Sequence, residues 1–217
     1  MDTPTLIIGN RNYSSWSLRA WLALEATGLE FNEVVIPLGQ DKTSEEILHW
    51  SPTARVPAFK DGEVLLWDSL AICEHLADVF PEVGLWPADT GARATARSVV
   101  AEMHSGFVAL RKHMPMNLRA SYPGASREPG VDEDIARITA IWEECRRNHG
   151  AAGDLLFGQF TIADAFYAPI VSRFLTFGVS PGGIAGEYMD AVWALPAMQD
   201  WAAKARAEEW SVGRYDR

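Results

Sequence analysis

Two adjacent hydroxyl side chains, Ser14 and Ser15, lie in a polar turn between a short apolar run and a helical pattern. Asn12 and Tyr13 add two further hydrogen-bond donors to this turn. Hydroxyl groups at a helix start can accept from the free N–H groups of the first turn, and this end of a helix also favours a bound anion. The turn therefore has the chemistry of a helix cap or of an anion site with a catalytic serine.

A strand and a helix are predicted on either side of the turn. Residues 6–8 are Leu-Ile-Ile and predict a strand that ends at Gly9, and residues 16–24 carry large apolar groups at helical spacing. Gly28 is expected to end the helix, and residues 31–36 predict a second strand. This strand-helix-strand order predicts two parallel strands with a right-handed crossover.

Two more strands and two more helices are predicted before residue 81, after which no strand patterns occur. Thr43 and Glu46 have the spacing of a capping box, which predicts a short helix. The Asp-Gly pair at 61–62 lies between two apolar runs and predicts an antiparallel hairpin. Ser69 is expected to cap a helix over 70–80. The predicted order of elements is βαβαββα.

Strand patterns disappear after residues 81–88, which are rich in Pro and Gly and predict a linker. Thr161 and Asp164 have the spacing of a second capping box, at the start of a helix that contains Pro169. The remaining helices are predicted over 90–112, 131–149 and 196–210, with a loop at 115–130. The second part of the chain is therefore expected to be all-helical.

The length, charge and residue composition of the chain indicate which kinds of partner and site it is expected to have. The chain has 217 residues, 48% of them hydrophobic, which suits one large or two modest domains. Its 29 acidic and 19 basic residues give a net charge of -10, which disfavours nucleic acid and anionic membranes as partners. The two cysteines form no CxxC pair, the five histidines lack metal-ligand spacing, and no apolar run approaches the roughly 20 residues of a membrane span. We expect a cytoplasmic protein without a metal site.

The ordered set of these features resembles the cytosolic glutathione transferase family, nearest to its zeta (maleylacetoacetate isomerase-like) and related bacterial classes. Residues 13–19, Tyr-Ser-Ser-Trp-Ser-Leu-Arg, are similar to the serine-rich motif that begins the first helix in these classes. The Val-Pro pair at 56–57 and the Asp-Ser pair at 68–69 resemble two further family features. The capping box within 160–164, followed by Pro169, resembles a third. The likeness extends over nearly the whole chain.

This resemblance implies a thioredoxin-like α/β domain at residues 1–82 and an all-helical domain at residues 89–217. It implies a glutathione S-transferase that conjugates or isomerises small electrophiles, with glutathione as co-substrate, and that forms a homodimer. A binding or assembly module that keeps the fold without catalysis is the alternative, because folds persist after their chemistry is lost. The hydroxyl pair and the Asp-Ser pair favour glutathione binding over that alternative.

The resemblance also implies that a hydroxyl of the turn activates the glutathione thiol. Lowering a thiol pKa of about 8.5 by about 2 units requires roughly 2.7 kcal/mol, which one hydrogen bond and a helix N-terminus can together supply. Matching the serine pair to the family motif favours Ser14 as the donor over Ser15. Asn12 and Tyr13 are the rival donors.

Other residues would hold the rest of the tripeptide. The Val56-Pro57 bond is expected to be cis and to present the backbone of Val56 to the cysteinyl part of glutathione. Asp68 would pair with the γ-glutamyl ammonium group and Ser69 with its carboxylate. The candidates for binding the glycyl carboxylate are Lys42 and Arg55.

An electrophile pocket is expected between the loop after the first strand and the first long helix of the second domain. Methionine and aromatic side chains suit an adaptable apolar pocket, although any one of them more commonly belongs to a helix-packing face. The candidate pocket residues are Met103, His104, Phe107, Leu110, Arg111 and Met114.

Overall fold

The N-terminal part of the chain has the predicted order of elements. A computed structural model describes residues 3–216. Its strands are β1 (Thr5–Gly9), β2 (Asn32–Ile36), β3 (Ala58–Asp61) and β4 (Val64–Trp67). The helices among them are α1 (Ser15–Thr27), α2 (Thr43–Leu48) and α3 (Ser69–Val79).

The four strands form one mixed sheet in the order β2-β1-β3-β4. β1 pairs with β2 in parallel, and β3 is antiparallel to both β1 and β4, so the predicted parallel pair and the predicted hairpin are both confirmed. Because side chains alternate along a strand, Leu6 and Ile8 join the main core on one face of the sheet. Ile7 lies on the other face, in a small cluster with Ile47 of α2.

Up to residue 216, the C-terminal part contains helices and loops, and its only strand-like pairs are isolated bridges among residues 155–159. The helices are α4 (Thr90–Ser105), α5 (Val108–His113), α6 (Val131–His149), α7 (Ile162–Phe177), α8 (Gly183–Ala194) and α9 (Pro196–Ala207). None of the helices within residues 3–216 is long and apolar enough to cross a membrane. α7 packs against α1 and α4, so it joins the two parts of the chain.

The structure corrects one helix prediction and contains one helix that the sequence did not predict. The helix predicted over 90–112 breaks after Ser105, because Phe107 has a φ of 55° and turns the chain into α5. Helix α8 was not predicted, since its sequence is interrupted by Gly186 and lacks a side-chain cap. Burial of Tyr188 and Val192 stabilises α8 in spite of its weak local signal.

Two of the predicted helix caps are wrong. Thr43 does not cap α2, because its hydroxyl donates to the carbonyl of Pro37 and accepts from the N–H of Gln40. At α3 the cap is Asp68, which accepts from the N–H of Leu70. The third cap, the Thr161 and Asp164 capping box at the start of α7, is confirmed.

Gly28 ends α1 in the left-handed conformation and offers a test of local stability. Its φ is 70°, and a Cβ added there would meet no atom within 4 Å, so only backbone strain opposes Gly28→Ala. We expect this change to lower the free energy of unfolding by about 1 kcal/mol. Gly186 lies inside α8 with equally open space, so Gly186→Ala is expected to raise it by about 0.5 to 1 kcal/mol. Urea denaturation measures the free energy of unfolding of both variants. If both variants changed it in the same direction, the prediction would be contradicted.

Candidate active site

A cleft of about 1030 Å³ lies between the sheet-containing part and helices α4, α5 and α7. The N-terminus of α1 lies on its wall, where the positive end of the helix dipole faces the space. Ten of the predicted site residues line this cleft: Tyr13, Ser14, Ser15, Arg55, Val56, Pro57, Asp68, Ser69, His104 and Arg111. Residues far apart in sequence therefore meet in one place.

Ser14 is the N-cap of α1. Its Oγ accepts from the N–H of Ser17 at 3.3 Å and shares a hydrogen bond of 2.7 Å with the Ser17 hydroxyl. The Ser17 hydroxyl also accepts from the N–H of Gly9, at 3.1 Å. The Ser14 side chain is thus part of a buried hydrogen-bond chain that joins β1 to α1.

Ser15 is the first residue of α1 and is also buried, at 7% exposed. Its Oγ accepts from Nη2 of Arg173, a residue of α7, at 3.3 Å. Arg173 also lines the cleft and donates to the carbonyl oxygens of Met114 at 2.8 Å and Pro169 at 3.4 Å. A cation from the C-terminal part therefore contacts the hydroxyl at the start of α1.

Asn12 and Tyr13 hold the turn in place. The Asn12 side chain is fully buried, donates to Oδ1 of Asn117 at 2.8 Å and is absent from the cleft wall, which corrects its expected contact with glutathione. Tyr13 lines the cleft, but its hydroxyl donates to the Asp216 carboxylate at 2.8 Å and accepts from Nη2 of Arg119. Both side chains are thus engaged with the C-terminal part.

Asp68 and Ser69 lie at the start of α3, on the cleft wall. Asp68 has a φ of 77°, and Oδ1 caps α3 while Oδ2 lies 3.5 Å from Nε2 of His104. Ser69 is fully buried, and its Oγ has no hydrogen-bond partner among the described residues. A buried hydroxyl without a partner costs roughly 1 to 3 kcal/mol, which a ligand that bonds to it would recover.

The Val56-Pro57 bond is cis, as predicted, and both residues line the cleft. Arg55 precedes this pair, is exposed and also lines the cleft. Lys42 is exposed at the start of α2 and is not part of the cleft wall. Of the two predicted cations, the structure therefore brings only Arg55 to the cleft.

Most of the residues predicted to form the electrophile pocket do not lie in the cleft. Four of its residues, Met103, Phe107, Leu110 and Met114, are buried in the main core and do not line the cleft. His104 and Arg111 do line it. Burial lowers the pKa of His104, and the cations Arg19 and Arg111 lower it further, while Asp68 acts to raise it.

Three arginines near the start of α1 were not recognised as a group from the sequence. The guanidinium groups of Arg19 and Arg111 both stack on Trp16, which lines the cleft, at 4.3 and 4.9 Å from its ring. Arg19 is 1% exposed, and its Nε and Nη1 have no hydrogen-bond partner within residues 3–216. Burial lowers the pKa of Arg19 and of Arg173 to about 9, and neighbouring arginines contribute to both shifts.

Few acidic groups balance these charges. Among the described residues, no carboxylate lies within ion-pair distance of Arg19, Arg111 or Arg173. Arg173 is also the one basic residue of α7, which is otherwise almost entirely buried and apolar. A single basic residue in an otherwise apolar helix is a signal from which the sequence could have identified Arg173 as a candidate site residue, since buried charges usually have a specific role. This side of the cleft therefore favours an anion.

Comparisons with known proteins agree with this geometry. The family model for the glutathione S-transferase N-terminal domain matches residues 13–79. The chain is 34% identical over 202 residues to a maleylacetoacetate isomerase of Rattus norvegicus, covering 90% of each protein. It is 28% identical over 173 residues to a probable maleylacetoacetate isomerase of Caenorhabditis elegans, covering 77% of each.

A solved structure shares the fold. It is that of a glutathione transferase homolog from Burkholderia, crystallised with bound glutathione. The TM-score is 0.71 at 24% sequence identity, and the match covers 95% of this chain and 100% of the other. The whole arrangement of sheet and helices is thus shared, beyond the region that the family model matches.

Proposed function

Because this chain belongs to the glutathione S-transferase family, we propose that it is a glutathione transferase that attaches glutathione to small electrophiles or isomerises them through a glutathione adduct. The observation that carries this proposal is the Ser69 hydroxyl, which is fully buried, has no partner among the described residues and lies on the cleft wall. Such a group is satisfied when an acceptor of the ligand binds there.

The proposed binding mode uses one protein group for each polar part of glutathione. The Asp68 carboxylate pairs with the γ-glutamyl ammonium group, and Ser69 donates to the adjacent carboxylate. The backbone of Val56, held by the cis bond to Pro57, pairs with the cysteinyl amide. Arg55 serves the glycyl carboxylate. The cysteine sulfur then lies near the start of α1, where Ser14 and Ser15 are both on the cleft wall.

The proposed chemistry begins with loss of the thiol proton to solvent. A serine hydroxyl, the α1 dipole and the nearby arginines all stabilise the resulting thiolate. In conjugation, the sulfur attacks an electrophilic carbon, a C–S bond forms, and the leaving group departs with its electron pair. In isomerisation, the sulfur adds to a conjugated cis double bond, the resulting single bond rotates, and the thiolate leaves again. The two relatives named as maleylacetoacetate isomerases support the second reaction.

Calorimetric titration with glutathione tests the binding site directly. We expect binding by the wild type, together with the ultraviolet absorbance of a thiolate at neutral pH. Asp68→Asn keeps the cap of α3 but removes the charge, and Ser69→Ala removes the unpaired hydroxyl. Each is expected to weaken glutathione binding about tenfold or more, with a smaller effect on the rate at saturation, because these contacts are far from the sulfur.

Ser98→Ala is the matched control, since Ser98 is exposed on α4 and bonds only to the carbonyl of Ala94. Its affinity for glutathione is expected to equal that of the wild type. Unchanged affinity in both site variants would show that glutathione does not bind at α3. Binding without any thiolate absorbance or turnover would instead favour the non-catalytic binding module.

The proposal includes a cytoplasmic homodimer with domains at 1–82 and 89–217. The support for a dimer is the exposed apolar surface of β4, where Val64, Leu65 and Trp67 are 43%, 38% and 46% exposed. Large apolar side chains grouped on one edge strand are typical of a surface that a second chain covers.

A further inference from the structure

The side chain of His104 lies beside the Asp68 carboxylate, where the helical part of the chain meets the sheet-containing part. His104 belongs to α4, Asp68 precedes α3, and both residues line the cleft. Nε2 of His104 is 3.5 Å from Oδ2 of Asp68, while Oδ1 accepts from the N–H of Leu70 at 2.8 Å. One oxygen of this carboxylate therefore caps α3, and the other faces a histidine from the helical part.

The surroundings of the His104 ring favour its neutral form. Nδ1 is buried and has no hydrogen-bond partner among the described residues. The ring meets that of Trp16 in a T-shaped contact, with 5.1 Å between centroids, and its centroid lies 6.0 Å from that of Phe166. Protonation would place an N–H at Nδ1 without an acceptor, so a neutral ring with its proton on Nε2 fits this environment. That tautomer directs its N–H at Asp68.

Charged groups from three elements act on the ring. Burial lowers the pKa of His104, Asp68 acts to raise it, and Arg19 of α1 and Arg111 of α5 lower it. Arg111 is held on this side because its Nη1 donates to the carbonyl oxygen of His104 at 3.1 Å. His104 is therefore neutral at neutral pH and gains its charge at a lower pH than an ordinary histidine.

We propose that His104 is a positioning residue for the amino group of glutathione and that it acts through Asp68. In its neutral form, the ring N–H orients the carboxylate and leaves the negative charge of Asp68 available to the γ-glutamyl ammonium group. In its protonated form, His104 offsets that charge and repels the ammonium group, because two cations then share one carboxylate. This inference rests on the proposed function and adds a residue of the helical part to the glutathione site.

The affinity for glutathione is expected to fall as the pH falls, because the protonated ring is the form that competes with the ligand. The probe is S-methylglutathione, since its sulfur cannot ionise and its amino and carboxyl groups stay charged between about pH 5.5 and about pH 7. Burial raises the pKa of Asp164 to about 6, so this carboxyl titrates in the same range, but it does not line the cleft.

The test is calorimetric titration of the wild type with S-methylglutathione and with the analogue of it that lacks the α-amino group. Between about pH 7 and about pH 5.5, we expect the affinity for S-methylglutathione to fall about twofold to threefold and the affinity for the analogue to stay constant. A general change of the protein at the lower pH would weaken the binding of both ligands. An equal pH dependence for the two ligands would therefore overturn the inference.

Variants of His104 form the second arm of the test. His104→Gln keeps a neutral N–H donor that cannot titrate, so it is expected to lose the pH dependence. At the higher pH it should bind S-methylglutathione more tightly than His104→Ala, which lacks the donor and is expected to bind about threefold or more weakly than the wild type. His49→Gln is the matched control, because His49 is exposed and lies outside the cleft, and it should keep the affinity and pH dependence of the wild type.

Two further results would overturn the inference: a pH dependence that persists in His104→Gln, and wild-type affinity in His104→Ala. The comparison of the two ligands on the wild type needs no variant, so it decides the question even where a variant does not fold. In each of these cases glutathione binding by the wild type would leave the proposed function intact. A wild type that does not bind glutathione would overturn the function and the inference together.

Discussion

Replacing Asp164 with alanine is expected to lower the free energy of unfolding by roughly 3 to 5 kcal/mol. The Asp164 carboxylate is fully buried and accepts from the N–H of Leu156 at 3.1 Å and the N–H of Thr161 at 2.8 Å. It also accepts from the Thr161 hydroxyl at 3.0 Å. Alanine would leave two buried N–H groups without an acceptor, each at a cost of roughly 1 to 3 kcal/mol, in addition to the lost cap.

Urea denaturation followed by circular dichroism measures this loss. Asp190→Ala is the matched control, because Asp190 is exposed on α8, and its effect is expected to stay within about 0.5 kcal/mol. Asp164 does not line the cleft, so the folded variant should bind glutathione with the affinity of the wild type. A stability change as small as that of the control would contradict the assigned role of the capping box.

Elements with local sequence signals were predictable. The Asp-Gly pair at 61–62 specifies a hairpin because few residue pairs adopt that turn, and the predicted pairing of β3 with β4 is confirmed. The capping box at Thr161 and Asp164 is equally local, since both of its hydrogen bonds join residues three positions apart. In both cases the chemistry that determines the structure lies within a few residues.

Elements that depend on distant packing were not predictable from pattern. Residues 90–112 have continuous helical character in the sequence, whereas in the structure the chain turns at Phe107 and α5 packs against α6. Three glycines, Gly182, Gly183 and Gly186, obscure α8, although its buried residues Tyr188 and Val192 stabilise it. Tertiary contacts decide the structure in both regions.

The same difference between local signals and distant packing explains why only part of the candidate site was predicted. The motif residues Ser14, Ser15, Asp68 and Ser69 were identified because their neighbours in sequence mark helix starts. Composition cannot distinguish a pocket wall from a core, so Met103 and the other apolar residues of α4 and α5 were assigned to the wrong place.

Arg173 and Glu208 were missed because each acts through contacts across 158 or more positions of the chain. Glu208 follows α9 and is one of several acidic residues near the C-terminus, so nothing in its neighbourhood in the sequence distinguishes it from the exposed Glu209. Only the fold brings its carboxylate to the turn before α1. That turn is therefore held by a residue that belongs to the opposite end of the chain.

Replacing Glu208 with alanine is expected to have the second large effect, on both stability and thiol activation. The Glu208 carboxylate accepts from the N–H of Arg11 at 2.8 Å and the N–H of Asn12 at 3.1 Å, and it lies 3.9 Å from Nη1 of Arg11. Alanine leaves these two buried N–H groups without an acceptor and removes one of the two carboxylates near the Arg11 guanidinium, which still pairs with Glu33. We therefore expect a loss of about 3 kcal/mol or more in the free energy of unfolding, measured by urea denaturation.

The effect on chemistry follows from the position of these contacts. Arg11 and Asn12 lead directly into Ser14 and Ser15, so a turn that relaxes moves the hydroxyl away from the bound sulfur. We therefore expect the thiol pKa of bound glutathione to rise by about 0.5 unit or more in Glu208→Ala, measured by thiolate absorbance. Glu209→Ala is the matched control, because Glu209 is adjacent and exposed, and it should change neither quantity. If Glu208→Ala behaved like Glu209→Ala in both measurements, the C-terminal segment would have no part in holding the turn.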